Sequence, residues 1–113
     1  MYSLADNYLM AAELEFEHNE KDVIPQLVCS NSRQSISFYL TAFLIQNDIA
    51  VEQPSTLESL LRQCQTVDPR FKWIDLSGVY CRLDSNEQRF CYGHHKVNSC
   101  LKTAQEVRAV IKS

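Results

Sequence analysis

Glycine and proline are scarce in this chain, which holds two glycines and three prolines among 113 residues. Tight turns between β-strands draw heavily on these two residues, so the scarcity argues against a many-stranded sheet. Apolar residues make up 45% and charged residues 22% of the sequence, which is ordinary for a globular protein. A chain of this length can bury a sizeable core without disulfides or metals. The composition therefore indicates a single helical domain over residues 1–113.

The chain also lacks an excess of basic residues. Its 11 lysines and arginines stand against 14 acidic residues, so the formal net charge is −3. Proteins that coat long nucleic acids need a broad positive field for the phosphates, and this composition argues against such a role. Any contact with RNA or a nucleotide has to be local, through a few cations gathered in a cleft.

Closely spaced cysteine pairs and long apolar runs are missing as well. The cysteines are odd in number and contain no CxxC pair; they are Cys29, Cys64, Cys81, Cys91 and Cys100. Secreted disulfide scaffolds usually have an even count behind a signal peptide, and "MYSLADNYLM" does not have the pattern of one. The longest apolar window, "SFYLTAFLI", is too short to span a bilayer. We therefore expect a cytoplasmic protein with reduced, buried thiols.

The dominant pattern is helical periodicity. Ala5, Leu9, Ala12 and Phe16 recur at helical spacing and form one apolar stripe. The second predicted helix is apolar nearly all round in its later half, so it should be central and buried. We predict an all-α, up-and-down bundle of about five helices. Their expected ranges are Ser3 to about Asn19, Val23 to about Asn47, "STLE" to about Gln65, Pro69 to about Leu83, and about His95 to Lys112.

Capping residues mark two of the predicted helix starts. The stretch "STLE" predicts a capping box, in which the hydroxyl of Ser55 accepts from the backbone of Glu58 and the Glu58 carboxylate reaches back. Asp68 followed by Pro69 is the usual order of cap and first helical residue. These signals place the third and fourth helices.

The predicted fourth helix carries several aromatic residues. Phe71, Trp73 and Tyr80 fall in or beside its apolar stripe. We expect this set in the core or in a dimer interface rather than as a platform for stacked bases.

The segment "EQRFCYGHH", residues 87–95, gathers most of the chemistry in the chain. RNA cleavage through the 2′-hydroxyl needs a base that titrates near neutral pH and a fixed cation for the phosphate. His94 and Arg89 are side chains of these two kinds. A helix starting here would add backbone N–H groups and the positive end of its dipole. Tyr92 is placed to stack on a base, and His95 to share the proton transfer or bind phosphate.

Other interpretations of this segment stay open. Arginine and histidine ahead of a helix are often solvated or paired with a nearby carboxylate such as Glu87. Zinc sites usually show two tight ligand pairs, whereas Cys91 and His94 make one loose pair, so we predict no metal and no cofactor. Cys91 also lacks the third, orienting residue of a Cys–His nucleophile.

The order of parts resembles the HEPN family of small helical nucleotide-binding domains. The resemblance covers "SRQSISFYLTAFLI", "PSTLESLLRQC", "DPRF", "DLSGVYCRL", "EQRF" and "SCLKTAQEVRAVIK". Catalytic members have an arginine followed four to six residues later by a histidine, and Arg89 with His94 or His95 is similar to this motif. The resemblance implies a homodimer that cleaves RNA without metal in a shared cleft. It also implies a toxin–antitoxin role beside a nucleotidyltransferase.

Two residues bear on the alternatives. Phe90 stands where ribonuclease members usually have a polar residue, which favours a non-catalytic helical interaction module. The partner of such a module would be a protein such as a nucleotidyltransferase. Arg33, in "SNSRQS" on the predicted central helix, is a candidate ligand-binding residue that shares a pocket with Arg89. The alternative for Arg33 is a surface ion pair.

Overall fold

The computed structural model describes residues 2–18, 23–79 and 94–112. Within these ranges the chain forms four α-helices and no strand, which confirms the predicted all-α class. The helices are α1 (Ser3–Phe16), α2 (Pro25–Gln46), α3 (Leu57–Val67) and α4 (His94–Lys112). Two short 3₁₀ turns, Pro69–Trp73 and Leu76–Val79, follow α3. None of the described helices combines the length and the apolar character needed to cross a membrane.

Helix α2 is the centre of the bundle, as its nearly continuous apolar half predicts. It packs against α1, α3 and α4. Its fully buried side chains include Ile36, Tyr39, Leu40 and Leu44. From α1, Ala5, Leu9 and Ala12 are buried against it, which confirms that part of the predicted stripe. The core therefore lies along the length of α2.

The predicted fourth helix is wrong, and the count of α-helices in the described residues is four instead of five. Asp68 and Pro69 do start a helical turn, and the Asp68 carboxylate accepts from the backbone N–H of Arg70 at 2.9 Å. The turn ends at Ile74, whose backbone is extended. Directly afterwards, the Asp75 carboxylate accepts from the N–H of Ser77 at 2.9 Å. This local hydrogen bond competes with a continuous helix. The predicted continuation through Tyr80 and Leu83 lies outside the described residues.

The cap of α3 lies one residue later than predicted. Thr56 is the N-cap, and its hydroxyl accepts from the N–H of Ser59 at 3.0 Å. The Ser59 hydroxyl accepts in return from the N–H of Thr56 at 2.9 Å. Glu58 therefore stands in the first turn, where a carboxylate is favoured by the positive end of the helix dipole. The capping-box prediction was right in kind but wrong about Ser55.

Candidate functional site

The predicted site residues fall partly inside and partly outside the described structure. Arg89 and Tyr92 lie outside the described residues. His94 and His95 are the first two residues of α4, and the description there covers their backbone only. Arg33 lies on α2 and is partly exposed. The start of α4 is therefore the part of the predicted site that lies within the described bundle.

The position of α4 along the bundle is set by contacts with α1 and α2. The sulfur atoms of Cys29 on α2 and Cys100 on α4 are 3.2 Å apart. Asp6 on α1 accepts a hydrogen bond from the Tyr39 hydroxyl of α2. The same carboxylate lies 3.0 Å from the Lys112 ammonium of α4. Residues at the same level on α2 and α4 thus differ by 71 to 73 in number, and the two helices run parallel.

Contacts with α1 show the direction of α4 relative to that helix. The amide of Gln105 donates to the Glu13 carboxylate at 2.8 Å, while Lys112 reaches Asp6 near the other end of α1. Helix α4 therefore runs antiparallel to α1. The contacts with α2 place His94 level with the chain just before Pro25. The contacts with α1 place it beyond Phe16, the last residue of α1, so His94 lies at the end of the bundle where α1 finishes and α2 begins.

Carboxylates occupy this same end of the bundle. The Glu15 carboxylate accepts from the backbone N–H of Ile24 at 3.1 Å and lies 3.0 Å from Nδ1 of His18. These contacts hold the turn between α1 and α2 and offset part of the Glu15 charge. The first turn of α4 supplies the opposite sign, because its backbone N–H groups have no partner within the helix. An anion binding here would be drawn to α4 rather than to α1.

Arg33 lies at a different level. The register of α2 against α4 places it beside residues 104–106, which are ten to twelve positions beyond His94. At about 1.5 Å per residue, that is an axial separation of about 15–18 Å. Arg33 therefore does not lie beside the start of α4. Its predicted pocket with Arg89 depends on a residue outside the described ranges and stays a prediction.

A groove between α1 and α4 was not anticipated from the sequence. It has a volume of about 450 Å³. Met10, Leu14 and Phe16 line it from α1, and Asn98, Leu101 and Gln105 from α4. Met10 and Leu14 are more than half exposed, at 56% and 57%. The sequence does contain one indication of the groove. Met10 and Leu14 are apolar and four residues apart, so they lie on one side of α1, outside its buried stripe.

The groove extends to Asn98, in the second turn of α4. Positions 94, 98, 101 and 105 are separated by four, three and four residues, which is the spacing of one stripe on a helix. Asn98, Leu101 and Gln105 of this stripe line the groove. A molecule bound in the groove would therefore lie next to the first turn of α4.

The cysteines within the described residues are buried. Cys29, Cys64 and Cys100 belong to the core, and Cys81 and Cys91 lie outside the described ranges. Burial raises the pKa of the Cys64 thiol to about 12, so this group is a neutral thiol at physiological pH. Groups of three or more possible metal ligands do not occur among the residues that the structure describes.

Comparison with known proteins assigns the family. A family model described as HEPN domain matches residues 1–113. No curated protein and no solved structure matches the chain. The match extends over every described helix and over the segment that holds Arg89 and His94. Over its whole length, this chain belongs to the HEPN domain family, whose members are generally nucleotide-binding or ribonuclease-like.

Proposed function

We propose that this HEPN domain binds RNA or a nucleotide at the start of α4 and acts as a metal-independent endoribonuclease of the toxin–antitoxin type. The observation that carries the proposal is the position of His94 as the first residue of a 19-residue helix. The histidine of the Arg-x4-His motif therefore stands beside backbone N–H groups of a kind that can bind an anion. A phosphate held there would meet the helix dipole, Arg89 and His94 together.

The proposed chemistry needs one base and one fixed cation. His94 takes the proton from a ribose 2′-hydroxyl, and the oxygen attacks the adjacent phosphorus atom. Arg89 pairs with the phosphate oxygens while their negative charge grows. The 5′-oxygen of the next nucleotide leaves with a proton from a second histidine, either His95 or His94 of another copy. The products are a 2′,3′-cyclic phosphate and a free 5′-hydroxyl, and no step requires a metal.

A second copy of the chain completes the proposed site. One arginine and one histidine are sparse for an active site, whereas a two-fold dimer supplies two of each in one cleft. The exposed apolar residues of α1 that line the groove, Met10 and Leu14, are suited to an interface on the face that includes Asn98 in the second turn of α4. Mass measurement in solution tests this requirement directly, and a monomer that cleaves RNA would contradict it.

The decisive test is RNA cleavage in excess chelator. We expect Arg89→Ala and His94→Ala to lower the cleavage rate about 100-fold or more, and His95→Ala to have a smaller effect. His18→Ala is the matched control, because His18 is a histidine at the same end of the bundle and is 54% exposed. Its cleavage rate should equal that of the wild type. Loss of cleavage on adding chelator, or equal rates in all variants, would contradict the proposal.

The alternative is a non-catalytic module that pairs with a protein such as a nucleotidyltransferase. The groove between α1 and α4 favours it, since apolar floors with polar rims suit a partner helix. In that case wild-type protein cleaves no RNA, and Leu14→Lys prevents the complex with the partner. The two functions are thus separated by the cleavage assay and by the groove variant.

A further inference from the structure

Trp73 is the most exposed large apolar side chain among the described residues. It is 86% exposed, whereas Phe71, two residues earlier, is fully buried. Exposure of an indole ring to water is unfavourable by comparison with its burial. An indole ring exposed on the surface of a folded turn offers a flat apolar face that a planar ligand can contact.

The exposure of Trp73 does not come from a loose segment. The Phe71 ring packs edge to face on Phe43 of α2, with the ring centroids 4.9 Å apart. The side-chain amide of Gln65 donates to the Phe71 carbonyl at 3.3 Å. At the other end of the turn, Asp68 caps the N–H of Arg70. These contacts fix the backbone of the turn before Trp73, so the point from which the indole ring projects is set before any ligand arrives.

The surroundings of Trp73 indicate the kind of ligand. Arg70, Lys72 and Asp75 are all exposed, so Trp73 does not belong to a continuous apolar patch of the turn, as the core of a protein interface would require. Within the described part of the chain, Lys72 forms no ion pair. An exposed aromatic ring next in sequence to an exposed lysine can hold a base and its phosphate.

We propose that Trp73 is a stacking site for an unpaired nucleobase of single-stranded RNA, with Lys72 binding the adjoining phosphate. The choice of RNA as ligand rests on the proposed function. The site itself is separate from the Arg-x4-His motif and adds affinity for the substrate rather than chemistry. Trp73 is therefore a binding residue and not a catalytic one.

The two sites lie at different ends of the bundle. Phe71 packs at the level of Phe43 on α2, whereas the start of α4 is level with the chain before Pro25. The separation is about 20 residues of helix, or about 30 Å. A stacked strand rises about 3.4 Å per nucleotide, so about nine nucleotides are needed to reach both. The proposal therefore predicts a preference for RNA with an unpaired stretch of that length.

Tryptophan fluorescence tests the proposal, because Trp73 is the only tryptophan in the chain. The probe is a 2′-O-methyl RNA of about 12 unpaired nucleotides, which lacks the hydroxyl that cleavage requires. Stacking on a base should quench the indole emission in proportion to binding. Absence of quenching at saturating RNA would overturn the proposal.

Variants measured with a fluorescently labelled copy of this RNA provide the second readout. Trp73→Ala should weaken binding about tenfold or more, and Trp73→Phe should restore part of the loss. Lys72→Ala should weaken binding and flatten its salt dependence. Lys102→Ala, an exposed lysine on α4, is the matched control and should change neither. Equal affinity of Trp73→Ala and wild type would overturn the proposal.

Two further outcomes distinguish an RNA-stacking site from a protein contact and from the catalytic motif. If the emission shifts to the blue with rising protein concentration in the absence of RNA, Trp73 is a protein contact and the RNA proposal is wrong. If RNA quenches Trp73 while Arg89→Ala and His94→Ala cleave as the wild type does, the proposed function fails but the stacking site stands.

Discussion

Removing the hydroxyl of Tyr39 tests the contact that aligns the three long helices. The Tyr39 side chain is fully buried, and its hydroxyl donates to the Asp6 carboxylate. Asp6 also lies 3.0 Å from the Lys112 ammonium. Tyr39→Phe keeps the buried ring and deletes only the donor. The register that places His94 at the end of the bundle depends partly on this carboxylate.

The expected loss follows from the kind of hydrogen bond. A hydrogen bond to a charged group contributes about 1.5–3 kcal/mol to the free energy of unfolding. The Asp6 side chain is 35% exposed, so water can replace part of what Tyr39 supplied. We therefore expect a loss of about 1.5 kcal/mol for Tyr39→Phe. Lys112 is 48% exposed, and Lys112→Ala should cost no more than about 0.5 kcal/mol.

The effect should depend on pH in a defined direction. Burial raises the pKa of Asp6, but hydrogen bonds from Tyr39 and Lys112 and the nearby positive charges outweigh it, so the pKa of Asp6 is lowered. A carboxyl with a lowered folded-state pKa stabilises the fold above its unfolded value of about 3.9 and loses that contribution as the pH falls through the folded value. The gap between wild type and Tyr39→Phe should therefore be constant near neutral pH and narrow in acid.

Urea unfolding followed by circular dichroism at neutral pH and at about pH 3 measures both effects. The double variant Tyr39→Phe with Asp6→Asn completes the cycle and isolates the pairwise contribution. Equal stability of wild type and Tyr39→Phe at neutral pH would refute the reasoning. So would a loss that is the same at both pH values, because it could not then come from the ionised carboxylate.

Three further predictions concern single side chains. Phe71→Ala should lower the free energy of unfolding by about 3–5 kcal/mol, and Trp73→Ala by no more than about 0.5 kcal/mol. The reason is that only Phe71 is buried. Similar losses for the two variants in thermal denaturation would contradict this difference in burial. Thr56→Ala should lower the free energy of unfolding by about 1 kcal/mol and Ser55→Ala should barely change it, because Thr56 is the N-cap of α3. A larger loss for Ser55→Ala than for Thr56→Ala in urea unfolding would show that Ser55 is the N-cap. Cys64, buried with its pKa raised to about 12, should resist thiol reagents at about pH 8 until the protein unfolds; reaction of folded Cys64, located by peptide mapping, would show that it is accessible.

Much of the fold was predictable because the signals are local. Ala5, Leu9 and Ala12 have the spacing of a buried helix face, and the structure buries all three. The start of the last helix at His94 was likewise predicted within one residue. The fourth predicted helix failed because local hydrogen bonding at Asp75 and the extended Ile74 outweigh an apolar pattern that fits helical spacing. Trp73 fitted the stripe and is exposed all the same.

Some features of the candidate site were likewise predictable from the sequence, and others were not. The Arg-x4-His motif is visible in the sequence, because both residue types and their spacing are local properties. The level of Arg33 relative to His94 is not visible, since it follows from contacts between residues far apart in the chain, such as Lys112 and Asp6. The groove between α1 and α4 was not predictable either, because nothing in the sequence indicates that these two helices are neighbours.

By itself, the sequence determined that this protein is a helical HEPN domain with an arginine and histidines at the entry to its last helix. Helix type and helix starts depend on hydrogen bonds and side-chain spacing over a few residues. Only the tertiary structure decided that α4 runs parallel to α2 and that Trp73 stands in water while Phe71 is buried. These features depend on which distant side chains meet, and no local pattern specifies those contacts.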